Sequence, residues 1–185
     1  AQWLTENGSD GLVLAGTTGE GPVLGEAEVV ALTRRVREAV SVPILVGTGT
    51  NDTAKTVELT KRVSDTGIQG VLVVTPYYSR PSQAGLADHF GTVADSTDLN
   101  VVLYDIPIRT GRKISNDTLL SLAREVTNIV AVKDAAHDVG ATARLAADAP
   151  DGFEIYSGED ALTLPIMAVG GVGVISVAGH WVGQQ

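Results

Sequence analysis

The chain holds 185 residues, 44% apolar but only 4% aromatic. That is enough for one domain whose core is Val, Leu, Ile and Ala, and too little for two ordinary domains. A net charge of −9 without any basic run, and the absence of cysteine, exclude a basic nucleic-acid or anionic-membrane surface, a disulfide framework and thiolate chemistry.

No leader-like segment opens the sequence and no apolar run approaches the ~18 residues of a membrane span, so a cytoplasmic protein is expected. The opening Ala1-Gln-Trp-Leu reads as a helical stretch turning at Asn7-Gly8. Short, β-branched apolar runs then recur at Gly11–Ala15, Pro43–Val46, Gly70–Val74, Asn100–Leu103, Asn128–Val132, Phe153–Tyr156 and Val172–Val177. They are apolar on consecutive positions, the pattern of strands buried on both faces. Amphipathic stretches alternate with them at Glu26–Ala39, Ala54–Ser64, Ala84–Asp95, Asn116–Arg124, Val139–Ala147 and Asp160–Val169. Asn51-Asp52, Ser82 and Ser115 precede three of these and offer side-chain oxygens to orphan helix amides.

Strict β-α alternation predicts parallel strands joined by right-handed crossovers. An open doubly wound sheet usually carries a phosphate loop, and neither Gly16-Thr-Thr-Gly nor Gly47-Thr-Gly-Thr has its spacing. Polar residues instead follow nearly every strand, as on the carboxyl face of a barrel. The α/β class is therefore read as one domain, residues 1–185, forming a (β/α)8 TIM barrel. Such a barrel takes ~250 residues, so this one is read as partial, lacking the first strand and the C-terminal helices.

Lys133 is the first candidate. It follows Ile129-Val-Ala-Val at a strand's carboxyl end, whereas the other three lysines, Lys55, Lys61 and Lys113, fall on helices or loops. Apolar walls there would disfavour the ammonium and free an amine nucleophile; the competing reading is a strand-end lysine snorkelling to water. Tyr104 ends the preceding strand and can exchange protons with a neighbouring carbon centre, or be a packed core tyrosine. Arg109, between Pro107 and Gly111, can clamp a carboxylate bidentately, or be a solvated loop arginine. Gly16-Thr17-Thr18-Gly19 offers hydroxyls and close backbone approach to a carboxylate. Tyr77 and Tyr78 sit on a proline-braced loop, where surface packing explains them equally well. His89, His137 and His180 lack metal-like spacing and are read as helix-surface or loop residues.

Taken in order, Gly16-Thr-Thr-Gly-Glu, Thr75-Pro-Tyr-Tyr-Ser-Arg-Pro, Tyr104-Asp-Ile-Pro-Ile-Arg-Thr-Gly, Val132-Lys-Asp-Ala, Ser157-Gly-Glu-Asp and Gly173-Val-Ile-Ser-Val resemble the dihydrodipicolinate synthase / N-acetylneuraminate lyase family along the whole chain. The Tyr-Asp-Ile-Pro and Val-Lys-Asp-Ala variants are similar to its actinobacterial members in particular. The resemblance implies that Lys133 forms a Schiff base with pyruvate. It makes Tyr104 the proton donor and acceptor, with Thr17 and Tyr78 relaying protons and Tyr78 supplied across a tight dimer interface. Gly16, Thr18 and the backbone of Ile175 would hold pyruvate. Arg109 would bind the carboxylate of a second substrate, aspartate-β-semialdehyde, and the product would be the cyclic precursor of lysine biosynthesis.

No cofactor or metal is implied, because the cationic imine is itself the electron sink. A homodimer or homotetramer is. Asp105 stands where the family more often has asparagine, and a modest consequence is expected. Lys55, in the stretch corresponding to the lysine-feedback site of some members, would repel a lysine ligand, so weak or absent feedback is expected. Two alternatives share the residues: a sister aldolase acting on N-acetylneuraminate or a keto-deoxy sugar, and an inactive truncated barrel.

Overall fold

A computed structural model describes residues 1–183. Each β-branched run becomes a strand: β1 (Leu12–Leu14), β2 (Ile44–Gly47), β3 (Gly70–Val74), β4 (Asn100–Asp105), β5 (Ile129–Asp134), β6 (Glu154–Ser157) and β7 (Gly173–Val174). All pair in parallel, in the order of the sequence. A doubly wound sheet reverses its strand order at a switch point, and no reversal occurs here. The sheet is the wound part of a barrel, and among the described residues β1 and β7 each have one strand neighbour.

The helices are α1 (Gln2–Glu6), α2 (Glu26–Ala39), α3 (Thr53–Ser64), α4 (Gln83–Ala94), α5 (Pro107–Thr110), α6 (Asn116–Glu125), α7 (Val139–Asp148), α8 (Thr163–Ala168) and α9 (Gly179–Val182). The expected caps form. Asp52 accepts from the amides of Ala54 and Lys55 at 2.9 and 3.2 Å, Ser82 from Gly85 at 3.1 Å and Ser115 from Thr118 at 3.2 Å; each contributes about 1 kcal/mol. No helix among the described residues is long and apolar enough to cross a membrane.

Strand pleating divides the core. Val71, Val73, Val101 and Leu103 point outward and meet Leu86, Phe90 and Val93 of α4 in the main cluster. Leu72, Val102, Tyr104 and Ala131 point inward with Ile106 and Ala135. These are the two periodic faces of one sheet.

Several expectations need correcting. β4 and β5 do not stop at Leu103 and Val132; they run on through Asp105 and Asp134, because ladder bonds use the backbone and are indifferent to side-chain polarity. β7 is two residues long, not the Val172–Val177 run, although the Val172 and Ile175 amides still donate to β6 carbonyls at 2.9 Å. The helix read over Asp160–Val169 is a 3-10 turn at Asp160–Leu162 followed by α8. Pro165 lacks the amide that a continuous helix needs there. Arg109 lies on the one-turn helix α5, not in a loop.

His89 is no surface residue either. It lies beside Phe90 in T-shaped contact at 5.3 Å, is buried, and pairs Nδ1 with the Thr53 hydroxyl at 2.8 Å. It follows Leu86 by three positions, on the face that α4 buries. Burial pushes its pKa down to about 4, and its Nε2 has no partner among the described residues. A depressed histidine pKa means stability that is fully present above about 6.5 and lost as pH falls through about 4. We expect thermal stability of the wild type to decline between pH 6.5 and 4, and His89→Gln to flatten that decline. Equal slopes in scans of the two proteins would show that His89 is not the titrating group.

Candidate active site

Pleat and register put Lys133 and Tyr104 together. Val101 pairs with Ile129, but Val102 pairs with Ala131, so β5 carries one extra residue at that point. Beyond the irregularity Tyr104 faces Lys133 and Asp105 faces Asp134. The inward pair is thus a phenol and an amine, and the outward pair is two carboxyls.

The Lys133 Nζ stands 4.3 Å from the centroid of the Tyr104 ring, with residue exposures of 9% and 6%. Loss of water lowers the lysine pKa to about 8; Asp160 opposes the shift and Arg109 adds to it. The ring face gives the ammonium some compensation, about 1 kcal/mol, too little to reverse the desolvation. Burial also raises the Tyr104 pKa, against the pull of Arg109 and with a push from Glu159. Gly158, after β6, makes room for the lysine stem. A Cβ there would lie 2.9 Å from the Ala135 Cβ and 3.0 and 3.1 Å from the Lys133 Cε and Cγ.

A cavity of about 1090 Å³ opens at this end of the sheet, and Gly16, Thr17, Tyr78, Tyr104 and Arg109 are on its wall. Lys133 is not on that wall; its amine lies over the ring of Tyr104, which is. Thr17, Tyr78 and Tyr104 share the cavity, yet no hydrogen bond joins them among the described residues. Tyr78 is 91% exposed, with a left-handed backbone at φ 70°. Two residues read as pyruvate-binding are not brought to the wall. Thr18 points from an exposed turn after β1, and the Ile175 amide is occupied by the Ser157 carbonyl at 2.9 Å. The Arg109 guanidinium has no hydrogen bond or ion pair among the described residues, which leaves its five donors for a ligand. Nor is any group of three or more potential metal ligands gathered among the described residues.

On the outer face Asp105 accepts the Ile114 amide at 3.1 Å, and the Lys113 Nζ lies 3.9 Å away. Its neighbour Asp134 accepts the Ala136 amide at 2.9 Å and the Thr142 hydroxyl at 2.7 Å. Burial raises the Asp105 pKa to about 7; Ile114 and Lys113 oppose this, and Asp134 adds to it. Asp105, standing where the family more often has asparagine, is thus a buried carboxyl on the helix side of the sheet. Gly158 and Asp160, beside Lys133 in space or charge, were given no role from sequence, although each sits just beyond the carboxyl end of β6, where a barrel keeps its chemistry.

Two tests follow. Gly158→Ala should fold but displace the lysine stem, lowering the rate of amine modification at Lys133 at least tenfold; unchanged labelling by mass spectrometry would remove Gly158 from the site. For Asp105, a raised carboxyl pKa means stability that is full below about 4 and lost as pH rises through about 7. Asp105→Asn, which cannot ionise but can still accept from Ile114, should raise the melting temperature more at pH 8 than at pH 5. The gain corresponds to up to a few kcal/mol, at roughly 1.4 kcal/mol per pH unit. An equal shift at both pH values would refute the titration.

The whole chain, residues 1–185, matches the Dihydrodipicolinate synthetase family. Among its relatives, the 4-hydroxy-tetrahydrodipicolinate synthase of Moorella thermoacetica is 49% identical over 187 residues, covering 100% of this chain and 64% of the relative. That of Bacillus subtilis is 45% identical over 99% of this chain and 64% of its own length. A solved dihydrodipicolinate synthase from Bacillus anthracis superposes with a TM-score of 0.96 at 46% identity, over 98% of this chain and 63% of that one. A synthase from Acinetobacter baumannii, complexed with pyruvate, gives 0.92 at 39% identity, over 96% and 62%. The chain therefore spans somewhat under two thirds of the proteins it matches. The Moorella and Bacillus relatives are Bacillota, and the actinobacterial likeness expected from two motifs finds no support. Fold, motif order and relatives agree: the chain belongs to the dihydrodipicolinate synthetase family.

Proposed function

We propose that this chain carries the Schiff-base machinery of a pyruvate-dependent lyase that condenses pyruvate with aspartate-β-semialdehyde. The observation that carries the reading is the Lys133 amine, buried against Tyr104 and shifted to about 8. At that pKa roughly one amine in ten is neutral at pH 7, against a negligible fraction for a solvated lysine.

In this reading the neutral amine attacks the keto carbon of pyruvate, and loss of water leaves a cationic imine. Tyr104 protonates the departing hydroxyl and takes up protons in turn. Withdrawal by the imine makes a methyl proton of pyruvate removable, and the resulting enamine carbon attacks the aldehyde; the semialdehyde's own amine then adds to the re-formed imine carbon, closing the ring and expelling the Lys133 amine. Thr17 and Tyr78 relay the Tyr104 proton outward. Tyr78 does so from a partner subunit, consistent with its exposure in a single chain, so the working unit is a homodimer or homotetramer. Gly16, Thr18 and the Ile175 backbone hold the pyruvate carboxylate once loops and partner are in place. Arg109, on the cavity wall and without an intramolecular partner among the described residues, favours an aldehyde bearing a carboxylate over a sugar's polyol tail. Lys55, also on that wall, disfavours a lysine inhibitor. The reaction draws on no cofactor or metal.

The chain spans under two thirds of its relatives' length, so the test is run on this chain and on a form extended to the relatives' full length. Incubation with pyruvate and borohydride should leave a reduced adduct on Lys133, formed faster as pH rises through about 8 and absent in Lys133→Ala. No adduct at full length, or an adduct on another lysine, would end the proposal. An adduct at full length alone would assign this chain the residues but not the activity.

A further inference from the structure

The Arg109 side chain makes no hydrogen bond or ion pair among the described residues, so its position follows the backbone of α5. Beside the bonds from the buried Thr110 hydroxyl to the Ile106 and Arg112 carbonyls, a clasp between two loops holds α5. From the loop after β3, the Arg80 Nε donates to the Gly111 carbonyl at 2.9 Å. From the segment after α5, the Arg112 Nη2 donates back to the Arg80 carbonyl at 2.9 Å. Gly111 has φ +73°, and a Cβ there would come within 3.4 to 3.5 Å of the Arg80 side chain, so the contact is close as well as reciprocal. Three residues further on, Gln83 spans the same gap. Its amide donates to the Lys113 carbonyl at 2.8 Å, and its oxygen accepts from the Ser115 amide at 3.0 Å and the Thr118 hydroxyl at 2.9 Å.

Backbone strain accompanies the clasp. Tyr78 and Arg80 both adopt left-handed conformations, at φ 70° and 51°, which non-glycine residues keep only where the surroundings over-determine them. The Arg112 Nε is buried without a partner among the described residues, so that side chain gives up hydration to reach across. The far end of the arm is tied to the sheet where Asp105 accepts from Ile114. The arm bearing Arg109 therefore leaves β4 at Asp105, is held by Arg80 at Gly111 just past Arg109, and is tied back to the sheet at Ile114.

We infer that Arg80 is a positioning residue for Arg109, and through it for the carboxylate of the second substrate; this rests on the lyase reading above. Arg80 is exposed, so its removal leaves the core intact. In the full-length protein Arg80→Ala should raise KM for aspartate-β-semialdehyde about tenfold, with kcat within threefold and KM for pyruvate unchanged. Arg80→Lys, which can still donate to the Gly111 carbonyl, should recover part of the loss. Hydrogen exchange should quicken at the Arg109, Thr110 and Gly111 amides of Arg80→Ala with no change in melting temperature, which a general loss of packing would not produce.

Unchanged exchange overturns the inference, and so does faster exchange with an unchanged KM for the semialdehyde. Borohydride trapping with pyruvate separates the two readings. An adduct on Lys133 in both wild type and Arg80→Ala leaves the lyase reading standing whatever becomes of Arg80. If neither protein forms an adduct, the lyase reading fails, and the inferred role for Arg80 in substrate binding fails with it.

Discussion

One extra residue in β5 decides which side chain stands beside Tyr104 on the inner face of the sheet. In a parallel ladder the side-chain period is two, so a slip of one residue turns a strand's whole inner set outward. Had the Val101–Ile129 register continued unbroken, Lys133 would stand opposite Asp105 on the face that packs against helices. The irregularity between Val101 and Val102 instead pairs Lys133 with Tyr104, and both turn inward. The same shift sets Asp105 beside Asp134 on the helix side. Amine and phenol on one face, carboxyls on the other, are one consequence of one insertion.

Both faces then meet the same physics with opposite sign. Burial disfavours charge, so the inner lysine is driven toward its neutral base and outer Asp105 toward its neutral acid. Their partners differ. Asp134 has two donors and Asp105 has an amide with a lysine at longer range, which makes the carboxyl side a structural tie between sheet and arm. Lys133 has a ring face and, among the described residues, no hydrogen-bond partner, a group held poorly as a cation. A side chain kept in its reactive form by want of solvation is a recurrent arrangement at catalytic amines.

Much of this was legible in the sequence. Seven β-branched runs alternating with amphipathic stretches specified a parallel, sequentially wound sheet, and polar residues at the strand ends pointed to its carboxyl face. Lys133 and Tyr104, the residues that end consecutive strands, were readable as neighbours. The slip that makes them neighbours on the inner face was not, because it exists only in the pairing of β4 with β5. Strand ends were drawn too early for a related reason: Tyr104-Asp105 and Lys133-Asp134 break the apolar run without breaking the ladder. His89 looked like a surface residue because a single polar side chain on a buried helix face leaves no mark in a hydrophobic pattern. Thr18 and Ile175 came from family likeness, and that likeness carries residue identity along the chain but no distances in a single subunit. Arg80 was given no role, since nothing local says that its guanidinium will meet a carbonyl 31 residues away.

The relative sizes of the effects on Lys133 indicate how its chemistry can be tuned separately from its substrate's recognition. Desolvation is the largest influence on the amine, with Asp160 and Arg109 acting in opposite directions behind it. Asp160 is itself engaged by the Ser176 hydroxyl, and Arg109 is exposed, where water and salt weaken its reach. The lowered pKa is therefore a property of the strands and of the space beside Gly158, and it depends little on the arm. What the arm would contribute, on the proposed reading, is the place at which a charged aldehyde is held. In the proposed lyase, nucleophile and recognition would thus be carried by different parts of the fold, one strand-borne, the other hung between Asp105 and Arg80.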